Sequence, residues 1–293
     1  MSIFKGAGVA IITPMYKDSS INYEKLGALI ENQIENKTDA IVICGTTGES
    51  ATMTDQEHID CIKFAVDKVA KRIPVIAGAG SNDTAYAVEL SKEASNLGAD
   101  ALLQVTPYYN KASQKGLVAH FEAIANATDL PIILYNIPSR TGVNIAVDTY
   151  KILSEHKNIV ATKEACGNIS HIAAVKAACG DNLDVYSGND DQTVPILALN
   201  GVGVISVLSN IMPKQMHDMC QLFFDGKVKE SADLQLNLIN LMDSMFCDVN
   251  PIPVKEAMNI IGLDVGECRL PLVSMDENKK ADLKAVLQKY NLI

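Results

Sequence analysis

PIILYNIPSRTGVNIAVDTYKILSEHKNIVATK, residues 131 to 163, carries in one stretch the pattern that decides the fold. An apolar run, Pro131 to Tyr135, gives way to a turn rich in Pro, Ser and Gly. A longer amphipathic segment follows, then a second apolar run, Ile159 to Lys163, that starts 28 residues after the first. That interval is close to the ~30 residues of a strand, a crossover helix and two loops. Six more runs read the same way: Gly8 to Thr13, Ala40 to Cys44, Pro74 to Gly78, Ala101 to Val105, Leu183 to Ser187 and Gly203 to Val207. In chain order the eight starts are separated by 32, 34, 27, 30, 28, 24 and 20 residues. The runs are apolar without alternation, as parallel strands covered on both faces must be. Between them, Asn22 to Asn36 and Asp83 to Leu97 place Leu26, Leu29, Ile30, Ile34 and Ala87, Leu90, Ala94, Leu97 on single helical faces.

Eight βα units predict an α/β chain folded as a (β/α)8 TIM barrel, and no complete dinucleotide fingerprint argues for a doubly wound sheet. From about Phe224 the strand signal stops. Lys227 to Phe246, Pro253 to Ile261 and Asp276 to Tyr290 read as helices, so the chain divides into a barrel over 1–224 and a C-terminal helical extension over 225–293.

The second run of the opening stretch ends on a lysine. Lysine is strongly hydrated and seldom buried unpaired, and its amine becomes nucleophilic once its surroundings bring its pKa from about 10.4 toward about 7 to 8. A strand-end lysine can simply reach into water. In a barrel, however, strand C-termini form one ring in which catalytic side chains sit, and Lys163 belongs to that ring. Its companions there are Gly45-Thr46-Thr47-Gly48-Glu49-Ser50, Thr106-Pro107-Tyr108-Tyr109-Asn110 and Tyr135-Asn136-Ile137-Pro138-Ser139-Arg140-Thr141-Gly142. Hydroxyls and backbone N–H groups in the first can hold a carboxylate, or cap the next helix. The tyrosines can move protons beside a desolvated amine, or pack as rim residues. Arg140 is a planar bidentate donor suited to a carboxylate, or one half of a surface salt bridge.

Composition narrows the classes. A chain of 293 residues with 48% hydrophobic content buries a sizeable core, and a net charge of −10 disfavours nucleic acid and anionic membrane surfaces. The 22 uncharged residues from Gln192 to Pro213 are broken by Pro195, Gly201 and Gly203 into a short helix, a turn and a strand, so no membrane span is expected. The seven cysteines include no C-x-x-C pair and read as reduced thiols in a cytoplasm. The five histidines do not cluster, and neither a metal nor a cofactor is called for.

The stretches around Thr46, Tyr135 and Lys163 closely resemble the bacterial dihydrodipicolinate synthase family, as do Val105 to Asn110, Tyr186 to Asp190 and Gly203 to Val207, in order and spacing over nearly the whole chain. The resemblance implies a class I aldolase-type lyase that condenses pyruvate with L-aspartate-4-semialdehyde on the route to diaminopimelate and lysine. Under it, Lys163 forms the imine with pyruvate, and Tyr135, Thr46 and Tyr109 form a proton relay, with Tyr109 serving a neighbouring subunit. Thr47 holds the pyruvate carboxylate and Arg140 that of the aldehyde. Gly188 and Ile205 line the pocket through their backbone oxygens, and the assembly is a homotetramer built as a dimer of dimers.

In lysine-inhibited relatives the end product binds at positions that match Ser50, Ala51, Asp55, His58, Asn82, Tyr86 and Tyr108. Here Tyr86 replaces a carboxylate and Asp55 a histidine, so weak or absent feedback by lysine is expected. Two rivals stay open: a sister Schiff-base aldolase, such as N-acetylneuraminate lyase or a keto-deoxy-sugar acid aldolase, and a non-catalytic barrel that binds a keto acid.

Overall fold

The computed structural model describes residues 2–293. Its parallel strands are β1 (Gly6–Ala10), β2 (Ala40–Ile43), β3 (Val75–Gly78), β4 (Ala101–Val105), β5 (Ile132–Asn136), β6 (Ile159–Glu164), β7 (Asp184–Ser187) and β8 (Gly203–Ser206). They pair in sequence order, and β1 closes on β8 with Gly6 opposite Gly203 and Ile205 opposite Gly8. At that closure a side chain is excluded: a Cβ on Gly203, whose φ is +158°, would lie 2.0 Å from the Gly6 carbonyl oxygen.

Helices wrap the barrel in the order α1 (Tyr23–Glu35), α2 (Asp55–Val69), α3 (Thr84–Asn96), α4 (Gln114–Ala125), the one-turn α5 (Pro138–Thr141), α6 (Val147–Leu153), α7 (Ile169–Cys179), α8 (Thr193–Ala198) and α9 (Pro213–Phe224). Their starts are written in the sequence. Asn22, Thr54, Asp83, Ser113 and Asn168 each accept a hydrogen bond from a backbone N–H of the first turn, and Thr54 with Glu57 completes a capping box. The C-terminal layer follows as α10 (Val228–Ser244), α11 (Ile252–Ile260) and α12 (Glu277–Lys289).

Strand pleating sorts most of the buried side chains into two large apolar bodies, with Val185, Ile172 and Ile196 forming a small third cluster. Ala10, Val42, Ile76, Leu103, Ile133 and Tyr186 fill the barrel interior, and Tyr186 stacks on Phe4 at 4.4 Å while its phenol donates to the Phe4 carbonyl oxygen, plugging the N-terminal end. Ile41, Ile43, Leu102 and Leu134 point the other way into the helices, and Leu238, Leu241, Met242, Val254 and Leu283 of the C-terminal layer share that outer core. Each fully buried aliphatic side chain contributes about 1.5–3 kcal/mol, so this layer is welded to the barrel rather than tethered to it.

All eight expected strands are present. The largest displacement is in β1, which ends at Ala10 rather than Thr13. Ile11, Ile12 and Thr13 are as buried as the strand, but the backbone N–H of Ile12 turns to the Asn210 side chain instead of to a neighbouring strand. Among the described residues, no helix is long and apolar enough to cross a membrane.

Candidate active site

Alternation along β6 puts Ala161, Lys163 and Ala165 inside the barrel and Thr162 and Glu164 outside it. Lys163 stands opposite Tyr135 on β5 and Tyr186 on β7, at the level where the strands end. Its ammonium nitrogen lies 4.4 Å from the centroid of the Tyr135 ring. Burial brings its pKa down to about 8; the Asp190 carboxylate resists that shift and the Arg140 guanidinium adds to it. Near neutrality a useful fraction of this amine is unprotonated, a condition that a solvated lysine does not meet.

Tyr135 is pushed up to about 12, again chiefly by burial, against the opposing effects of Arg140 and a hydrogen bond with Thr46. Its phenol therefore keeps its proton and starts as an acid. Thr46 sits at the mouth, on the loop after β2, and shares with Arg140 a cavity of about 430 Å³ that runs on past Ser50, Ala51, Asp55, His58, Tyr86 and Tyr108. Thr47 is buried beside it and accepts a hydrogen bond from the Asn250 side chain at 3.0 Å. Arg140 is held from behind, its Nη2 donating to the Asn250 carbonyl oxygen at 2.9 Å.

Gly188 closes the loop after β7, where a Cβ would lie 2.7 Å from that of Ala165, so the backbone comes close beside β6. Ile205 is fully buried on β8 and belongs to the same interior cluster as Tyr135. Tyr109 is the exception. It is 91% exposed with φ of +70°. The structure thus gathers Lys163, Tyr135, Thr46, Thr47, Arg140, Gly188 and Ile205 at one end of the barrel and leaves Tyr109 outside. Among the described residues, no group of three or more His, Cys, Asp and Glu side chains is disposed to hold a metal ion.

The profile of the dihydrodipicolinate synthetase family matches residues 3–290. The chain belongs to that family. It is 58% identical to the 4-hydroxy-tetrahydrodipicolinate synthase of Clostridium tetani, all of both chains being covered. The relative from Acetivibrio thermocellus is 56% identical, covering 99% of each. Among solved structures, the dihydrodipicolinate synthase of Acinetobacter baumannii in complex with pyruvate superposes with a TM-score of 0.97 at 43% identity, covering 99% of each chain. The (β/α)8 architecture is thus shared by this chain and the synthases of its family.

Within this dihydrodipicolinate synthetase framework the structure adds residues to which the sequence assigned no role. Asp190 is buried in the short 3-10 turn after β7, its Oδ2 accepting the backbone N–H groups of Val207 and Leu208 at 3.1 and 2.9 Å, and it supplies the negative charge that faces Lys163. Its presence in the stretch Tyr186 to Asp190 was visible, its function was not. Outside the barrel, Asn136 Nδ2 donates to both oxygens of Glu164, and the Tyr150 phenol of α6 donates to the same carboxylate. This clamp joins the residues that directly follow Tyr135 and Lys163. Burial raises the Glu164 pKa despite these bonds. Lys255 of α11 is buried too, donating to Glu49 and to the carbonyl oxygens of Thr13 and Glu267.

Proposed function

We propose that the chain catalyses the 4-hydroxy-tetrahydrodipicolinate synthase reaction, condensing pyruvate with L-aspartate-4-semialdehyde through a Schiff base on Lys163. The observation that carries the reading is a buried amine with a pKa of about 8 set against a protonated phenol at the mouth of the barrel. The unprotonated amine adds to the keto carbon of pyruvate, and the carbinolamine oxygen leaves as water after taking a proton delivered by way of Tyr135. The iminium nitrogen then accepts the electron pair as the methyl proton passes to the phenolate left on Tyr135. The resulting enamine attacks the aldehyde carbon, whose oxygen takes that proton back from Tyr135. Attack of the substrate's own amine on the iminium carbon then breaks the bond to Lys163, freeing the lysine amine and returning a proton to Tyr135. The Asp190 carboxylate, although burial raises its pKa, is placed to offset the positive charge of the iminium.

Thr47 and the backbone N–H groups of its loop hold the pyruvate carboxylate, and Arg140 holds that of the aldehyde. Gly188 and Ile205 contribute backbone oxygens. Thr46 and Tyr109 complete the relay with Tyr135, Tyr109 coming from a neighbouring subunit; its near-complete exposure supports this. A homotetramer built as a dimer of dimers accommodates that exchange. The seven unpaired cysteines support a reducing cytoplasm.

Reduction with borohydride in the presence of pyruvate, followed by mass measurement, tests the reading: a stable adduct on Lys163 is expected, and its absence overturns the Schiff-base mechanism. A coupled assay with the two substrates, run against N-acetylneuraminate cleavage, separates this activity from that of a sister aldolase.

Feedback by lysine is weak or absent. Tyr86 occupies the position of the ligand-pairing carboxylate, and the nearby Asp55 carboxylate already accepts the Tyr86 phenol at 2.8 Å. A lost charge-assisted contact costs about 1.5–3 kcal/mol. Strong inhibition by submillimolar lysine in a steady-state assay contradicts this.

A further inference from the structure

We propose that Asn250 is a positioning residue that sets the hydrogen-bond polarity of Thr47, so that the threonine hydroxyl offers its proton to the pyruvate carboxylate. This rests on the reading of Thr47 as the ligand of that carboxylate. A threonine hydroxyl has one proton to give and two lone pairs that accept. Asn250 Nδ2 donates to Thr47 Oγ1 at 3.0 Å, which fills one lone pair and leaves the proton free. The reverse polarity would spend that proton inside the protein. Facing an anion, Thr47 would then present only lone pairs.

Two observations separate this from packing. Asn250 is 6% exposed, yet its Oδ1 is buried with no hydrogen-bond partner. A side chain kept only to fasten the turn would satisfy both ends of its amide, since a buried unpaired oxygen is costly. Second, the backbone of the same residue serves the other carboxylate ligand, its carbonyl oxygen accepting Arg140 Nη2 at 2.9 Å. One residue thus supports both substrates by two separable routes, the side chain toward pyruvate and the main chain toward the aldehyde. Beyond the turn, Lys255 fastens α11 to Glu49 and Thr13, which fixes Asn250 relative to the Thr47 loop.

The test measures KM for each substrate separately in the full-length protein. Asn250→Ala raises the KM for pyruvate about tenfold and leaves that for the aldehyde within about twofold, because the carbonyl on Arg140 survives the change. Asn250→Asp raises the pyruvate KM further, by about a hundredfold, because Thr47 now donates to the new carboxylate and a like charge stands near the substrate. Equal rises for both substrates, or an Asp variant no worse than Ala, overturn the proposal.

Should the Asp variant fail to fold, Thr47→Val decides. Adding Asn250→Ala to it has no further effect on the pyruvate KM if the asparagine acts through that hydroxyl, and additive effects overturn the idea. Borohydride trapping keeps the outcomes distinct. Wild-type protein without a Lys163 adduct sinks the Schiff-base reading, whereas an adduct with unmoved KM values in the variants sinks only the role of Asn250.

Discussion

Among the described residues two lysines are buried, and they share little beyond burial. Lys163, at the inner mouth of β6, faces an aromatic ring, with Asp190 and Arg140 as the charges it feels. Lys255, in the seam between α11 and the loop after β2, has Glu49 Oε1 at 2.9 Å and two carbonyl oxygens at 3.1 and 2.7 Å. Glu49 is satisfied in turn by the backbone N–H of Arg269 at 2.8 Å. The first site sets the amine against an aromatic ring, where burial lowers its pKa toward the range of a nucleophilic amine. The second replaces every water with an oxygen and makes a fastener. Burial of a lysine does not indicate catalysis; what matters is whether its donors are matched.

The sharpest way to break this contrast is to replace each amine by a thioether of similar volume. Lys163→Met abolishes turnover, with a loss of at least about a thousandfold in coupled assay and no borohydride adduct, while circular dichroism stays native. Residual activity within tenfold of wild type would mean that the reacting amine lies elsewhere.

Lys255→Met costs about 3–5 kcal/mol in denaturant unfolding, because Glu49 is left buried and unpaired. Adding Glu49→Leu recovers most of that loss, as removing both members of a buried pair is often near neutral. A single change costing less than about 1 kcal/mol would make the seam ornamental.

The smallest effect runs in the opposite direction. Lys163→Met stabilises the fold by roughly 1–3 kcal/mol, since the wild-type amine is strained by burial. The sign follows from linkage. The folded pKa of about 8 lies below the ordinary 10.5, so between those values the unfolded chain binds more protons and wild-type stability rises with pH. The advantage of the methionine variant is therefore full below pH 8 and fades toward pH 10.5. A constant advantage across that window would place the amine's strain outside its titration.

The two lysines also differ in how far the sequence announced them. Lys163 was legible because it ends an apolar run whose spacing fixes its strand, and a strand end in a closed barrel has only one ring to join. Tyr135 and Arg140 followed from the same periodicity. Lys255 lies on an amphipathic helix, where a lone cation reads as a solvated face, and its partner Glu49 is 206 residues away. Asn250, which meets Thr47 across 203 residues, was hidden for the same reason. Strand ends were blurred in β1 because continuous apolarity marks burial, and the ladder stops where its partner stops. Local pattern reported where the strands lie and which residues end them; it could not report which side chains enter the barrel or which loops the C-terminal helices come back to touch.

That return has a consequence for how the molecule is made. On the ribosome the sequences of all eight strands, Lys163 and Tyr135 among them, are complete before Asn250, Lys255 or Arg269 has been synthesised. Until those residues arrive, the loop bearing Thr46 and Thr47 lacks its asparagine donor and its buried anchor. The fastening of that loop therefore waits for residues made late in translation, 203 and 206 positions along the chain from the residues they hold.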